Sequence, residues 1–141
     1  MKTKIVKIEE KNIDLELLSE AGTIIKNGGL VAFPTETVYG LGGDAFNPES
    51  SIKIYSAKGR PSDNPLIVHI ADIEDLFKVA VDVSEIALKV ADRFWPGPLT
   101  MIFKKRSTLP KETTGGLSTV AVWSAGGSPR TASIRRTRAI R

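Results

Sequence analysis

The sequence predicts a mixed α/β (α+β) domain in which helices flank a sheet. Short apolar runs of strand length alternate along the chain with segments of helical periodicity, which is the pattern of such domains. The chain has 141 residues, a length that suits one domain with a modest core. Its composition, with 41% apolar and 26% charged residues, is ordinary for a globular protein.

The first half of the chain predicts two strands and a helix. Segment 3–8 alternates polar and apolar residues and is predicted as an edge strand. Segment 14–29 carries apolar residues at helical spacing and ends on Asn-Gly-Gly, which is a helix stop. Segment 30–35 is a short apolar run and is predicted as a buried strand. A glycine-rich loop or broken strand follows it.

The second half predicts three more helices and three more strands. Pro48 suits the first turn of a short helix, and Gly59 suits its C-terminal stop. A second buried strand, "PLIVHIA", follows, and Asp72 and Ser84 are the expected N-caps of the next two helices. The last two strands are predicted in "PGPLTMIFKK" and "STVAVW".

Composition excludes several function classes. The absence of cysteine rules out a disulfide framework, a thiolate metal site and a cysteine nucleophile. No run approaches the roughly 20 apolar residues of a membrane span, and the charged start lacks the apolar core of a secretory signal. We therefore expect a cytoplasmic protein with no membrane partner.

The positive charge is concentrated at the C-terminal end. Residues 1–123 hold 12 Lys and 3 Arg against 16 acidic residues, so their net charge is 15 − 16 = −1, whereas residues 124–141 hold 5 Arg and no acidic residue. We expect a domain over 1–123 and a basic tail over 124–141. The tail is predicted to be disordered or to be translated from a shifted reading frame after about residue 122.

A polar segment with glycines, "FPTETVYGLGGD", follows the first buried strand. Its hydroxyls and carboxylate lie where ligands often bind in open α/β sheets, and they belong to Thr35, Glu36, Thr37 and Tyr39. Its glycines either let the backbone approach a ligand or only allow a tight polar turn. The segment matches neither a P-loop nor a dinucleotide fingerprint.

The segment "KGRPSDNPLIVHI" (58–70) concentrates polar chemistry before a strand. Lys58 and Arg60 can reach one phosphate cluster, the lysine as a point charge and the arginine as a fork. Asn64 offers a donor and an acceptor. His69, the chain's single histidine, is predicted to share a strand face with Ile67. The alternatives are a solvated loop and a hydrogen-bonded core histidine.

Two further segments carry candidate residues. "WPGPLT" is a stiff turn into a strand, in which Trp95 is predicted to lie in the core and Thr100 to face a ligand. "TTGGLSTVAVW" joins a glycine pair to the last strand, and Thr119 at the start of that strand is a candidate nucleotide contact.

These segments together resemble the YrdC-like family of threonylcarbamoyl-AMP synthases. "PTETVYGLG", "KGRPSDNPLIVHI", "WPGPLT" and "GGLSTVAVW" stand in the family's order and spacing over residues 10 to 122. The resemblance implies a YrdC-like twisted mixed sheet flanked by helices. It also implies a nucleotidyltransferase that forms threonylcarbamoyl-AMP and pyrophosphate from L-threonine, bicarbonate and ATP, with Mg²⁺.

The resemblance also implies roles and partners. Thr37 and His69 would contact L-threonine, and the contacts to ATP would come from Lys58, Arg60, Asn64 and Thr119. Lys58 and Arg60 would be the catalytic pair. The product would feed the threonylcarbamoyladenosine modification of tRNA through downstream transfer proteins, and tRNA or double-stranded RNA is a possible direct partner.

The chain departs from the family pattern at its end. Trp123 stands where relatives carry an arginine that contacts threonine, and a later Ser-x-Asn segment that helps to hold the nucleotide is not found. We therefore expect the C-terminal part of the fold to be missing, with an exposed strand edge and weak or no activity. The alternative functions are an RNA-binding YrdC-like module, a carbamoyl-transfer domain like that of hydrogenase maturation proteins, and an inactive truncated product.

Overall fold

The computed structural model describes residues 3–8, 14–35 and 38–124. Its helices are α1 (Leu15–Lys26), α2 (Pro48–Lys58), α3 (Ile73–Val79) and α4 (Glu85–Phe94). Its strands are β1 (Val31–Phe33), β2 (Gly40–Gly42), β3 (Ile67–Ile70), β4 (Ala80–Val81), β5 (Thr100–Lys105) and β6 (Thr119–Ser124). The predicted tail lies outside the described residues except for Ser124, which is the last residue of β6.

The main sheet is mixed, which confirms the predicted fold class. Its four strands lie in the order β3-β6-β5-β4, with β3 parallel to β6 and the other two pairs antiparallel. Strands β1 and β2 form a separate antiparallel pair. The edge strand predicted over 3–8 is wrong, because that segment has no regular structure and lies exposed against α1. There Lys4 forms an ion pair with Glu20, Nζ to Oε2, at 2.6 Å.

The helices begin and end close to the predicted signals. The Asp14 side chain caps α1 by accepting from two backbone N–H groups, and the Ser84 hydroxyl caps α4 by accepting from Ala87 N at 3.2 Å. Asp72 holds the N-cap position of α3, but within the described residues its side chain makes no capping hydrogen bond. Gly59 ends α2 with a φ of 58°, in the left-handed region that favours glycine.

The core lies on one face of the main sheet, which we call the inner face. Val68 and Ile70 of β3, Val120 and Val122 of β6 and Phe103 of β5 are buried there against α3, α4 and the loop around residue 109. Trp95 joins this core as predicted, and its indole N–H donates to the carbonyl oxygen of Leu99 at 2.7 Å.

The two strands predicted to be buried are less buried than expected. Residues of β1 are half-buried or exposed, and β3 alternates between buried and accessible positions. β3 has this alternation because Val68 and Ile70 face the core with α3 and α4, whereas Ile67 and His69 point to the opposite face of the sheet. The two-residue strand β4 was not predicted, since a strand of that length leaves no periodicity to detect. No helix in the described part of the chain is long and apolar enough to span a membrane.

Candidate functional site

The opposite face of the main sheet, here called the outer face, carries the predicted strand residues. His69, Trp123 and Thr100 lie side by side across three strands, because Trp123 pairs with both of the others. The next row toward the start of β6 is Ile67, Ala121 and Ile102, and the row after it is Thr119 with Lys104. The outer face is therefore apolar in its middle row and polar in the rows on either side.

His69 lies in an aromatic environment. Its ring meets Trp123 edge to face at a centroid distance of 4.7 Å and Phe33 of β1 at 6.1 Å. Its Nδ1 atom is buried and has no hydrogen-bond partner among the described residues. Burial lowers the pKa of His69 to about 4, so the imidazole is neutral at physiological pH. His69 shares its face with Ile67, as predicted, and within the described residues its buried Nδ1 lacks the hydrogen bond that the alternative of a core histidine requires.

The Arg60 side chain braces the loop between α2 and β3. Its Nη2 donates to the Asn64 side-chain oxygen and, at 3.1 Å, to the carbonyl oxygen of Pro65. The backbone N–H of Arg60 donates to Tyr55 O at 3.0 Å, which ties the loop to the last turn of α2. The two residues predicted to contact ATP from this loop therefore contact each other. Lys58 is the exposed last residue of α2.

A buried turn supports the same loop from behind. Thr113 accepts from Leu66 N with its carbonyl oxygen at 3.1 Å, and its hydroxyl donates to Ala45 O at 2.7 Å and lies 2.9 Å from Ser51 Oγ. Gly115 has a φ of 58°, and a Cβ atom there would lie 2.9 Å from the carbonyl oxygen of Asp63. The glycine is thus required both by its backbone angle and by the loop that packs on it.

The glycines of "GLGG" allow neighbouring side chains to pack closely against the backbone. A Cβ atom at Gly40 or Gly42 would lie 2.8 Å from the ring of Phe33, which covers both positions. At Gly43 it would lie 3.0 Å from Leu30 and Ser50. The structure therefore supports the tight-geometry role for these glycines.

The predicted site residues lie in two groups. Strands β3 and β6 run parallel with Ile67 opposite Ala121, so Thr119 lies at the end of the sheet where the Arg60 loop enters β3. His69 lies toward the other end, about 13 Å from Thr119 along the strand direction at roughly 3.3 Å per residue. Thr37 lies outside the described residues.

The sequence analysis missed several residues of this region. Lys104 puts a cation beside Thr119 and forms an exposed ion pair with Asp82 at 2.9 Å. Tyr55 and Thr113 lie under the loop, and the "TTGG" motif was the available signal for Thr113. Across segments 3–8, 14–35 and 38–124, no group of three or more His, Asp or Glu side chains converges as a metal site.

Comparison with known proteins identifies relatives of the chain. The family model for Sua5, YciO and YrdC proteins, described as "Telomere recombination", matches residues 23–129. The chain is 49% identical over 120 residues to the threonylcarbamoyl-AMP synthase of Pyrococcus abyssi, covering 85% of the chain and 35% of that protein. It is 51% identical over 106 residues to the Bacillus subtilis protein of the same name, covering 74% of the chain and 31% of that protein.

A solved structure shares the fold. The crystal structure of P. abyssi Sua5 complexed with L-threonine superposes with a TM-score of 0.83 at 45% identity, covering 90% of this chain and 37% of that one. The chain thus spans about a third of the length of these relatives.

Proposed function

The chain belongs to the Sua5/YciO/YrdC family, and we propose that it carries the substrate-binding region of a threonylcarbamoyl-AMP synthase. The observation that carries the proposal is the outer face, with the Arg60 loop and Thr119 at one end and His69 toward the other. This arrangement suits two substrates that must meet end to end, a nucleotide at the cationic end and an amino acid at the other.

The proposed reaction needs no covalent intermediate with the protein. The amine of L-threonine and bicarbonate combine to a carbamate with loss of water. A carbamate oxygen then attacks the α-phosphorus of ATP, which enters as its Mg²⁺ complex, and pyrophosphate leaves as the α–β phosphoanhydride bond breaks. Positioning and charge neutralisation are therefore the contributions required of the protein.

We assign the nucleotide to the loop end of the outer face. Lys58 and Arg60 would neutralise phosphate charge, and Asn64 and Thr119 would add neutral hydrogen bonds. The short connections between α2, the loop and β3 support this assignment, because they keep these residues at one end of the sheet. The Asn64–Arg60 contact implies that part of the Arg60 fork changes partner when phosphate binds.

We assign L-threonine to the end that holds His69, together with Thr37. A neutral imidazole can donate or accept a hydrogen bond there, but it supplies no charge to the substrate carboxylate. The crystal structure of the P. abyssi relative with L-threonine supports an amino-acid site in this fold. The proposed product, threonylcarbamoyl-AMP, would pass to tRNA threonylcarbamoyl-transfer proteins, which implies a cytoplasmic location.

The test is pyrophosphate release from MgATP, with L-threonine and bicarbonate each omitted in turn. We expect release that requires both, measured beside the full-length P. abyssi relative as a positive control. Release without threonine would indicate simple ATP hydrolysis. No release from this chain, with the control active, would contradict the proposed function for this chain.

A further inference from the structure

Two polar atoms under the Arg60 loop are buried without a hydrogen-bond partner in the described structure. They are the phenol oxygen of Tyr55 and Nε of Arg60. Tyr55 is only 5% exposed, and its backbone already accepts the Arg60 N–H at 3.0 Å. Because an unpaired buried polar group costs free energy, a phenylalanine would fill the position of Tyr55 at least as well. The hydroxyl therefore calls for a reason beyond packing.

The Tyr55 phenol oxygen can still accept a hydrogen bond. The backbone N–H of Leu66 lies close enough to lower the pKa of Tyr55, but it donates its hydrogen bond to Thr113 O at 3.1 Å, and the phenol oxygen has no hydrogen-bond partner among the described residues. Burial raises the pKa of Tyr55, the Arg60 charge lowers it, the Asp63 charge raises it and the Leu66 backbone N–H lowers it, and the net shift is upward, so the phenol stays protonated at neutral pH. The backbone bond from Arg60 N to Tyr55 O at 3.0 Å holds the two residues together, and the Arg60 charge acts on the phenol.

The Arg60 guanidinium makes its hydrogen bonds to the loop through one terminal nitrogen. Its Nη2 bonds Asn64 and Pro65, while Nε has no partner among the described residues. A phosphate that binds the terminal nitrogens would draw Nη2 from Asn64, and the side chain would then need another anchor to keep its direction. An acceptor for Nε–H would supply that anchor, and the phenol oxygen of Tyr55 is an unused buried acceptor attached to the same turn.

We propose that Tyr55 is a positioning residue for Arg60, whose Nε–H donates to the Tyr55 phenol oxygen when the terminal guanidinium nitrogens bind a phosphate group. This inference rests on the proposed function only in taking the ligand to be a nucleotide phosphate. Tyr55 itself need not touch the ligand. Its role is to fix the orientation in which the Arg60 guanidinium binds the phosphate group.

The experiment compares Tyr55→Phe with the unmodified chain in two measurements. The melting temperature is expected to be unchanged or slightly raised, because the hydroxyl has no hydrogen-bond partner among the described residues. Calorimetric binding of pyrophosphate, and separately of MgATP, is expected to weaken about threefold to tenfold. Ser56→Ala, which removes an exposed hydroxyl from the next residue of α2, is the matched control and should change neither measurement.

A double-mutant cycle tests whether Tyr55 acts through Arg60. Lysine keeps the charge of arginine but has no Nε–H in that position, so Arg60→Lys removes the proposed donor. Adding Tyr55→Phe to Arg60→Lys should then weaken pyrophosphate binding no further. Equal losses in the two backgrounds would overturn the positioning role and assign the effect to packing.

The outcomes separate this inference from the proposed function. Pyrophosphate binding that weakens in Tyr55→Phe supports the inference even if the chain releases no pyrophosphate from ATP. Unchanged binding in Tyr55→Phe overturns the inference and leaves the synthase proposal in place. A chain that binds neither pyrophosphate nor MgATP contradicts both.

Discussion

The two faces of the main sheet differ sharply although they alternate along the same strands. On β3, Ile70 is 0% exposed on the inner face, and Ile67 is 50% exposed on the outer face. On β5, Phe103 is buried, whereas the adjacent Ile102 is 71% exposed. The inner face is covered by helices, and the outer face meets the small β1–β2 hairpin through the Phe33–His69 contact.

This difference shows that one strand can serve stability and binding with alternate residues. Burial on the inner face follows from apolar side chains at every second position. The outer face keeps apolar residues that no described element covers, next to the polar candidates for ligand binding. Hydrophobicity alone therefore does not tell which face holds the core, because both faces carry isoleucine.

The largest effect is expected from the same substitution on opposite faces of β3. Ile70→Ala should lower the free energy of unfolding by about 2–5 kcal/mol, because it opens a cavity in the core. Ile67→Ala should lower it by about 1 kcal/mol, because half of that side chain is already exposed. Urea unfolding followed by circular dichroism measures both. Equal losses would contradict the assignment of the core to the inner face.

The second largest effect is expected from acidification, which protonates His69 on the outer face. The unfolded chain protonates His69 near 6.5 and the folded chain near 4, so acidification through this window favours the unfolded state. The contribution of the neutral His69 to the free energy of unfolding is fully present above pH 6.5 and is lost as the pH falls toward 4. His69→Phe keeps an aromatic ring between Phe33 and Trp123 but removes the titration.

The measurement is urea unfolding of both proteins near neutral pH and at about pH 5. The unmodified chain should lose about 2 kcal/mol more than His69→Phe on that acidification. The carboxylates titrate in both proteins, so they cancel in the difference. Parallel losses would mean that His69 is far more accessible to water than its aromatic environment indicates.

The sequence predicted most helices and main-sheet strands because their signals are local. Periodicity, the Asp14 and Ser84 caps and Gly59 each act within a few residues. The strand expected over 3–8 fails because an alternating pattern needs a pairing partner, and none of the described strands pairs with it. Burial of β1 and β3 was overestimated because an apolar run does not show how many faces its neighbours cover.

The sequence analysis named candidate site residues but not the contacts between them. Lys58, Arg60, Asn64 and His69 were singled out as candidates because cations, an amide and a histidine lie close together in one short segment. The Arg60–Asn64 bond and the contact of His69 with Trp123 depend on loop conformation and on pairing between distant strands. Neither contact can be inferred from residue type alone. Tyr55 and Thr113 were missed for the same reason.

The third prediction compares two arginines that both bond backbone carbonyl oxygens. Arg60→Ala should weaken MgATP binding at least about tenfold, since it removes a charged fork from the loop. Its cost in stability should be only about 1 kcal/mol. Arg106→Ala removes a donor to Phe77 O at 2.9 Å at the β4 edge of the main sheet, whereas the Arg60 loop enters the sheet at the opposite edge, β3. That control should cost similar stability and leave MgATP binding unchanged.

Calorimetry with MgATP and urea unfolding of both variants supply the two quantities. If Arg60→Ala loses stability but keeps its affinity, Arg60 is only the brace that its bonds to Asn64 and Pro65 describe. Equal weakening by Arg106→Ala would point to a general effect of net charge on nucleotide binding. Either result would remove Arg60 from the proposed nucleotide site.

The smallest expected effect tests the outer face at Trp123. The resemblance described in the sequence analysis implies an arginine at this position, and Trp123 here is half-buried beside a neutral His69. Trp123→Arg places a cation where the proposed amino-acid site has none from His69, and the long side chain can extend its charge to water. L-threonine binding should strengthen about threefold to tenfold, whereas Trp123→Gln, which shortens the side chain without a charge, should not strengthen it. Weaker binding by a stably folded Trp123→Arg variant would show that the aromatic contact with His69, and not a missing cation, shapes this end of the face.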